Sequence, residues 1–161
     1  MKTALVGAGA GAALTAIALQ AIVPAIQDFE GTKLRAYRDV ANILTVCTGH
    51  TGPDIIIGKT YTTEECYKMT IKDVEKAAKG VLAVSPHLLY HPMILAATIS
   101  FVYNVGEGTY RKSSVARNFN LGNFSAGCSA LLKYTYSGGK YVQGLANRRA
   151  EENKLCQASL T

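Results

Sequence analysis

FEGTKLRAYRDVANILTVCTGH, residues 29–50, places two carboxylates and a threonine around one short stretch of β-forming sequence. Eight residues separate Glu30 from Asp39, and five separate Asp39 from Thr45. Residues 37–61 are rich in Thr, Gly, Val, Ile and turn-forming residues, which predicts a small, irregular β-region. A short β-element between the two carboxylates can hold them on opposite walls of one cleft.

Two carboxylates that face each other across a cleft are what cleavage of a glycosidic bond requires. One carboxyl group protonates the leaving oxygen, and the second stabilises positive charge on the sugar or activates water. The spacing therefore points to Glu30 and Asp39 as candidate catalytic groups, with Thr45 close to them.

A long helix is predicted directly after the β-region. Thr62 and Glu65 have the spacing of a capping box, which predicts the start of a helix of about twenty residues. The apolar residues that recur at helical spacing along it, and that predict its buried stripe, are Tyr67, Ile71, Val74 and Ala78.

The rest of the chain also has helical patterns. Residues 93–104 are almost wholly apolar, which predicts a buried helix. Shorter helices are predicted near residues 112–119 and 124–134, and a last one over residues 141–156. We therefore expect an α+β, mostly helical fold in which one long helix joins a small β-lobe to a helical lobe.

The N-terminal segment carries no charge from Thr3 to Gln27. A helix of this length, at about 1.5 Å per residue, can cross a hydrocarbon layer roughly 30 Å thick. Its many Gly and Ala residues gain little from lipid, so a membrane would hold it only weakly. We favour an uncleaved signal anchor over residues 1–27, before a catalytic domain over residues 28–161. The alternatives are a signal peptide cleaved after Ala18 and a buried core helix.

The net charge of +6 and the isoelectric point near 9.2 imply an anionic partner. Nucleic acid, anionic lipid and the acidic bacterial wall all qualify, but no nucleic-acid recognition motif is present. The glycines from Gly7 to Gly11 lack the full dinucleotide-binding fingerprint. His87 and His91 lack the glutamate of the zinc-protease motif, so we expect neither a metal nor a cofactor.

The four cysteines are Cys47, Cys66, Cys128 and Cys156, and none forms a C-x-x-C pair. An even number of cysteines behind an export-like segment favours disulfides formed in an oxidising compartment. Of the three possible pairings we favour Cys47–Cys66 with Cys128–Cys156, because each bond then closes a loop within one region. Four free thiols in a cytosolic protein are the alternative.

Several ordered blocks resemble the phage-type lysozymes of glycoside hydrolase family 24, and especially the signal-arrest-release endolysins of lambdoid-like phages. The blocks are E-x8-D-x5-T from Glu30, CTGH at 47–50, GKTYT at 58–62, FVYNVG at 101–106 and GLANRR at 144–149. They span nearly the whole chain. The resemblance implies a two-lobed phage-lysozyme-like fold and cleavage of peptidoglycan between N-acetylmuramic acid and N-acetylglucosamine.

The same resemblance implies roles for individual residues. Glu30 is expected to be the general acid, Asp39 to activate water or stabilise the sugar cation, and Thr45 to position the water. Arg148 matches a family arginine that approaches the acid, although Arg149 also fits. His50 is expected to support the site through a hydrogen bond, or else to stabilise a turn.

The resemblance also gives the N-terminal segment a mechanism. Residues 3–27 would hold the enzyme inactive on the periplasmic face of the host inner membrane, and release into the periplasm as a monomer would let the segment fold onto the body. The segment has no cysteine, so refolding rather than thiol exchange is the expected switch. A lytic transglycosylase and a noncatalytic wall-binding or holin-like membrane protein are the competing interpretations.

Overall fold

The computed structural model describes residues 8–161, so Lys2 and the rest of the first seven residues of the predicted anchor lie outside the described residues. The helices are α1 (Ala8–Glu30), α2 (Thr63–Val84), α3 (Pro92–Val105), α4 (Glu107–Arg111), α5 (Ser114–Asn120), α6 (Phe124–Ala130) and α7 (Gln143–Ala158). The strands are β1 (Lys33–Arg38), β2 (Leu44–Cys47), β3 (His50–Thr51), β4 (Tyr136–Ser137) and β5 (Lys140–Tyr141).

The β-region is an antiparallel sheet in the order β1-β2-β3. Thr45 on β2 pairs with Tyr37 on β1 and with Thr51 on β3, and the register of β1 shifts between Lys33 and Tyr37. The sheet begins at residue 33 rather than at 37, so the β-forming segment between Glu30 and Asp39 is itself strand β1. β4 and β5 form a separate hairpin that the sequence pattern did not predict.

The start of the long helix is confirmed. The Thr62 side chain accepts a hydrogen bond from the Glu65 backbone N–H, and the Glu65 carboxylate accepts one from the Thr62 N–H, so both halves of the capping box are present. The predicted apolar stripe is wrong at Tyr67, which is 48% exposed, while Val74 and Ala78 are buried. Tyr67 lies in the first turns of α2, where part of the helix surface faces solvent.

The predicted buried helix over residues 93–104 is confirmed as α3. The helix expected near 112–119 is α5, and the short α4 before it was not predicted. The helix expected over 124–134 ends at Ala130 and continues as a 3₁₀ turn, Leu131–Lys133. The last helix begins at Gln143 because Tyr141 belongs to strand β5.

Two separate hydrophobic cores define the two lobes that the sequence predicted. The larger core is built around α3, whose residues from Ile94 to Val102 are all buried. The smaller core fills the β-lobe and contains Val46, Ile55 and Tyr61. Helix α2 joins the lobes, since Cys66 belongs to the small core and Val74 to the large one.

Helix α1 packs along the helical lobe through one face. Ala18, Ile22, Val23 and Ile26 are buried in the large core, while other residues on α1 such as Ile17 remain exposed. In this folded form α1 lies on the helical lobe with one face buried, as the signal-anchor interpretation expects of the segment after release. The proposed division between residues 27 and 28 falls inside this continuous helix.

Two disulfides confirm the favoured pairing. Cys47–Cys66 ties strand β2 to the start of α2, and Cys128–Cys156 ties α6 to the end of α7. Each bond stays within one lobe, so neither bridges the cleft between the lobes.

We expect the Cys128–Cys156 bond to contribute about 3 kcal/mol to the free energy of unfolding, because it restricts the unfolded chain. Replacing both cysteines by Ser should lower the thermal midpoint measured by circular dichroism under oxidising conditions. Addition of a reductant should lower the wild-type midpoint and so narrow the difference between wild type and variant. An unchanged midpoint in the Ser variant would contradict the prediction.

Candidate active site

Glu30 is the last residue of α1. The helix ends because Gly31 adopts a φ of +68°, which glycine tolerates, and the Gly31 N–H still bonds to the Gln27 carbonyl. The Glu30 side chain is 26% exposed, and a Cβ placed on Gly49 would lie 3.9 Å from its Oε2. The carboxylate therefore lies beside the β2–β3 turn, with one side open to solvent.

Arg148 on α7 pairs with Glu30. Its Nη1 forms an ion pair with Glu30 Oε1, and its Nη2 donates to the Ser100 carbonyl at 3.0 Å. The Arg148 side chain is only 4% exposed. The sequence left Arg148 and Arg149 open as partners of the acid, and the structure places Arg148 there.

Arg149 instead pairs with Glu152. The Arg149 Nε lies 2.7 Å from Glu152 Oε2, and both side chains are almost fully buried. Burial raises the pKa of Glu152, while the charges of Arg149 and Arg148 and a hydrogen bond from Ser100 oppose this shift. A compact set of four charged groups thus lies between α1, α3 and α7.

Asp39 lies in the turn that joins β1 to β2. Its Oδ1 accepts hydrogen bonds from the backbone N–H groups of Ala41 at 2.8 Å and Ile43 at 2.9 Å. These bonds fix the carboxylate on the turn, which Asn42 completes with a φ of +62°. Asp39 and Glu30 therefore stand at opposite ends of strand β1.

Thr45 follows Asp39 on β2 and is buried. Its hydroxyl donates to the Ile43 carbonyl at 3.0 Å, and the same carbonyl accepts the Asp39 backbone N–H at 3.0 Å. The structure thus brings Asp39 and Thr45 together through Ile43. Glu30 shares none of these contacts and pairs with Arg148 instead.

A cleft of about 400 Å³ lies between the lobes. Glu30, Asp39 and Thr45 do not line it, but its lining residue Gly49 lies beside Glu30 Oε2. Gly49 and Thr51 line it from the β-lobe, and Asp73 and Tyr103 line it from the helical side. The Tyr103 hydroxyl donates to the Thr48 carbonyl at 2.6 Å, which connects α3 to the β-lobe. Burial raises the pKa of Tyr103, and the negative charges of Asp73 and Glu30 raise it further.

His50 links β3 to both Asp54 and Asp73. Its Nδ1 lies 2.8 Å from Asp73 Oδ2, and its Nε2 lies 3.0 Å from Asp54 Oδ1. Burial alone would lower the pKa of His50, but the two carboxylates outweigh this effect and the pKa is raised. His50 therefore supports the wall of the cleft rather than contacting Glu30.

The raised His50 pKa predicts a pH-dependent stability. Because the folded-state pKa lies above the unfolded value of about 6.5, the stabilisation is complete below that value and is lost as pH rises through the folded-state pKa. His50→Asn should lower the free energy of unfolding by about 1 kcal/mol near pH 5.5 and by less near pH 8.5. Chemical denaturation at both pH values measures this, and an equal cost at both would contradict it.

The sequence analysis did not identify two polar residues of α3 and one of α7 as parts of the site. Ser100 and Tyr103 lie on a helix that is otherwise almost wholly apolar, and this contrast was the available signal. Glu152 follows Arg148 at the i, i+4 spacing, which is typical of exposed ion pairs. Burial of that pair depends on packing that the spacing alone does not encode.

Comparisons with known proteins show the family of the chain. The phage lysozyme family model matches residues 27–152. A SAR-endolysin of bacteriophage PS119 is 36% identical over 159 residues, which cover 97% of this chain and 93% of that protein. A SAR-endolysin of enterobacteria phage P21 is 35% identical, with 97% of this chain and 94% of that protein covered.

A solved structure has the same fold over almost the whole chain. The active form of the P1 phage endolysin Lyz superposes with a TM-score of 0.77 at 20% identity, covering 94% of this chain and 95% of that one. The match includes both lobes and the N-terminal helix region, because so little of either chain is left out. By its family match, its relatives and its fold, the chain belongs to the phage lysozyme family.

Proposed function

We propose that the protein is an endolysin that hydrolyses the β-1,4 bond between N-acetylmuramic acid and N-acetylglucosamine in bacterial peptidoglycan. The observation that carries this proposal is the partly exposed Glu30 carboxylate, held by Arg148 beside the interlobe cleft. Family membership supports the same chemistry. The net charge of +6 suits a partner with the acidic character of the wall.

In this mechanism Glu30 protonates the glycosidic oxygen as the bond to the sugar breaks. Asp39 stabilises the developing sugar cation or takes a proton from the attacking water, and Thr45 holds that water. Substrate bound in the cleft is expected to exclude water, so that Glu30 delivers its proton in a dry site. An inverted product is expected when water attacks from the face opposite the leaving group.

Product analysis tests the proposed reaction. Purified sacculi digested by the released protein should yield muropeptides that end in reducing N-acetylmuramic acid, with one atom of solvent oxygen incorporated. Mass spectrometry in ¹⁸O-labelled water measures both features. Anhydro-sugar products would identify a lytic transglycosylase, and an absence of fragments would favour a noncatalytic wall-binding or holin-like protein.

We further propose that α1 tethers the protein to the inner membrane before it joins the fold. The residues from Gly11 to Glu30 have a mean hydropathy of 1.5, and only 22% of that window is buried, so its length and composition suit a membrane span. Helix α1 cannot lie in the bilayer and pack in the folded protein at the same time, because Ile22 and Ile26 cannot contact both lipid and the protein core. Glu30 would then stand at the membrane surface, away from Arg148.

Release would complete the active site. When α1 leaves the bilayer and packs on the helical lobe, its last turn brings Glu30 to the cleft. The enzyme would work as a monomer in the periplasm, on the same side of the membrane as its substrate. The tethered protein, whose Glu30 is undocked, would be inactive.

A further inference from the structure

Arg148 is anchored on two sides before Glu30 is considered. Its Nη2 donates to the Ser100 carbonyl at 3.0 Å, and its Nε donates to Glu152 at 3.2 Å. These bonds leave Nη1 as the nitrogen that meets Glu30. The orientation of the guanidinium is therefore set by groups on α3 and α7 rather than by the acid.

Glu152 is the centre of these contacts. Its Oε1 accepts hydrogen bonds from the Ser100 hydroxyl at 2.6 Å, from Arg148 at 3.2 Å and from Arg149 at 2.9 Å. The Glu152 side chain is 1% exposed. A buried carboxylate with three donors has little freedom to move, so it holds Arg148 in one rotamer.

The last two residues of α1 both contact Arg148. Glu30 pairs with its Nη1, and the Phe29 ring centroid lies 5.0 Å from its guanidinium carbon. The side chain of Arg148 is thus the docking site for the end of α1.

The charges around Arg148 determine which side chain can dock against it. Arg148 and Arg149 carry two positive charges and Glu152 carries one negative charge, so one positive charge stays uncompensated until Glu30 arrives. A buried unpaired charge is strongly unfavourable, and a carboxylate that docks on it is correspondingly stabilised. The cluster therefore requires a carboxylate, rather than a neutral side chain, at the end of α1 when α1 docks.

We propose that Glu152 is a positioning residue, which presets the Arg148 guanidinium to receive Glu30 when α1 docks. This inference rests on the proposed function, because it assigns to Glu152 a part in assembling that same site. Glu152 itself does not touch the substrate. It acts through Arg148, so its effect on turnover must depend on that arginine.

A double-mutant cycle tests this dependence. With soluble uncross-linked glycan chains as substrate, Glu152→Gln should lower kcat by about 10–100-fold with little change in KM, because the acid is displaced while the groups that bind the substrate stay in place. In an Arg148→Met background the same substitution should change kcat by less than about twofold. An equal loss in both backgrounds would show a merely structural role and overturn the proposal.

A charge-balanced variant guards against misfolding. Arg149→Met with Glu152→Met removes one charge of each sign, so Arg148 and Glu30 remain a neutral pair, and we expect the fold to be retained. This variant should show the same loss of kcat at a near-wild-type thermal midpoint. Wild-type kcat in this folded variant would overturn the proposal.

Glu151→Gln is the matched control, since Glu151 is the exposed neighbour of Glu152 on α7. It should keep wild-type kcat and KM. If wild type and this control both fail to cleave the glycan, the proposed function itself is wrong. If both cleave and the Glu152 variants cleave equally well, only the positioning role is wrong.

Discussion

Glu30→Gln is expected to lower the rate of peptidoglycan cleavage by about a thousand-fold or more, because an amide cannot donate the proton that the leaving oxygen needs. The change is nearly isosteric, and the amide oxygen still accepts a hydrogen bond from Arg148. Gln carries no charge to balance the buried Arg148, so we expect a lower thermal midpoint. The rates are therefore compared at a temperature at which circular dichroism shows the variant to be folded. The rate is measured as the fall in turbidity of a suspension of outer-membrane-permeabilised Gram-negative cells.

Asp28→Asn is the matched control for this experiment. Asp28 lies two residues before Glu30 on the same helix and is exposed. Its substitution removes one carboxylate from α1 without touching Arg148, so lysis should proceed at the wild-type rate. A Glu30→Gln protein that lyses cells as fast as the Asp28→Asn protein would remove Glu30 from the mechanism.

Leucine substitutions on the exposed face of α1 are expected to trap the protein in the membrane. Ala12, Ala13 and Ala16 are exposed in the folded form, so their replacement leaves the core packing intact. On insertion scales each Ala→Leu change favours the bilayer by roughly 0.5 kcal/mol, and three together shift the equilibrium by about tenfold. Lysis by the triple variant should be delayed or lost, while membrane fractionation should find the protein in the pellet.

Serine at the same three positions is the opposing control. It weakens the hold of the bilayer, so the protein should enter the soluble fraction earlier and lysis should begin sooner. The Leu variant, once extracted and refolded without membrane, should cleave soluble glycan at the wild-type rate. A soluble, fully lytic Leu variant in cells would show that lipid does not restrain α1.

Much of the framework was predictable because the signals are local. The capping box at Thr62 marked the start of α2 within one residue, since both of its hydrogen bonds are made within one turn. The spacing from Glu30 to Thr45 predicted a β-element between two polar positions, and strand β1 with its turn at Asp39 is that element. The disulfides followed from the even cysteine count and from short loops.

The remaining features depend on contacts between distant segments. The contacts of α1 in the folded form were not predicted, because an uncharged helix rich in Ala is compatible with both a bilayer and a protein core. The partner of Glu30 is separated from it by 118 residues, and adjacent arginines in the sequence gave no basis for choosing between them. Only the packing of α7 against α3 turns Arg148 toward Glu30 and Arg149 toward Glu152.

The central claim is that docking of α1 assembles the active site. The most direct test compares the wild-type protein tethered to the membrane with the same protein after release. Right-side-out membrane vesicles carrying the tethered form and an equal amount of the released form should each be given the same soluble glycan chains, which reach both equally. We predict that the tethered form turns over about two orders of magnitude more slowly, because Glu30 lies away from Arg148. Equal turnover by the two forms would contradict the account.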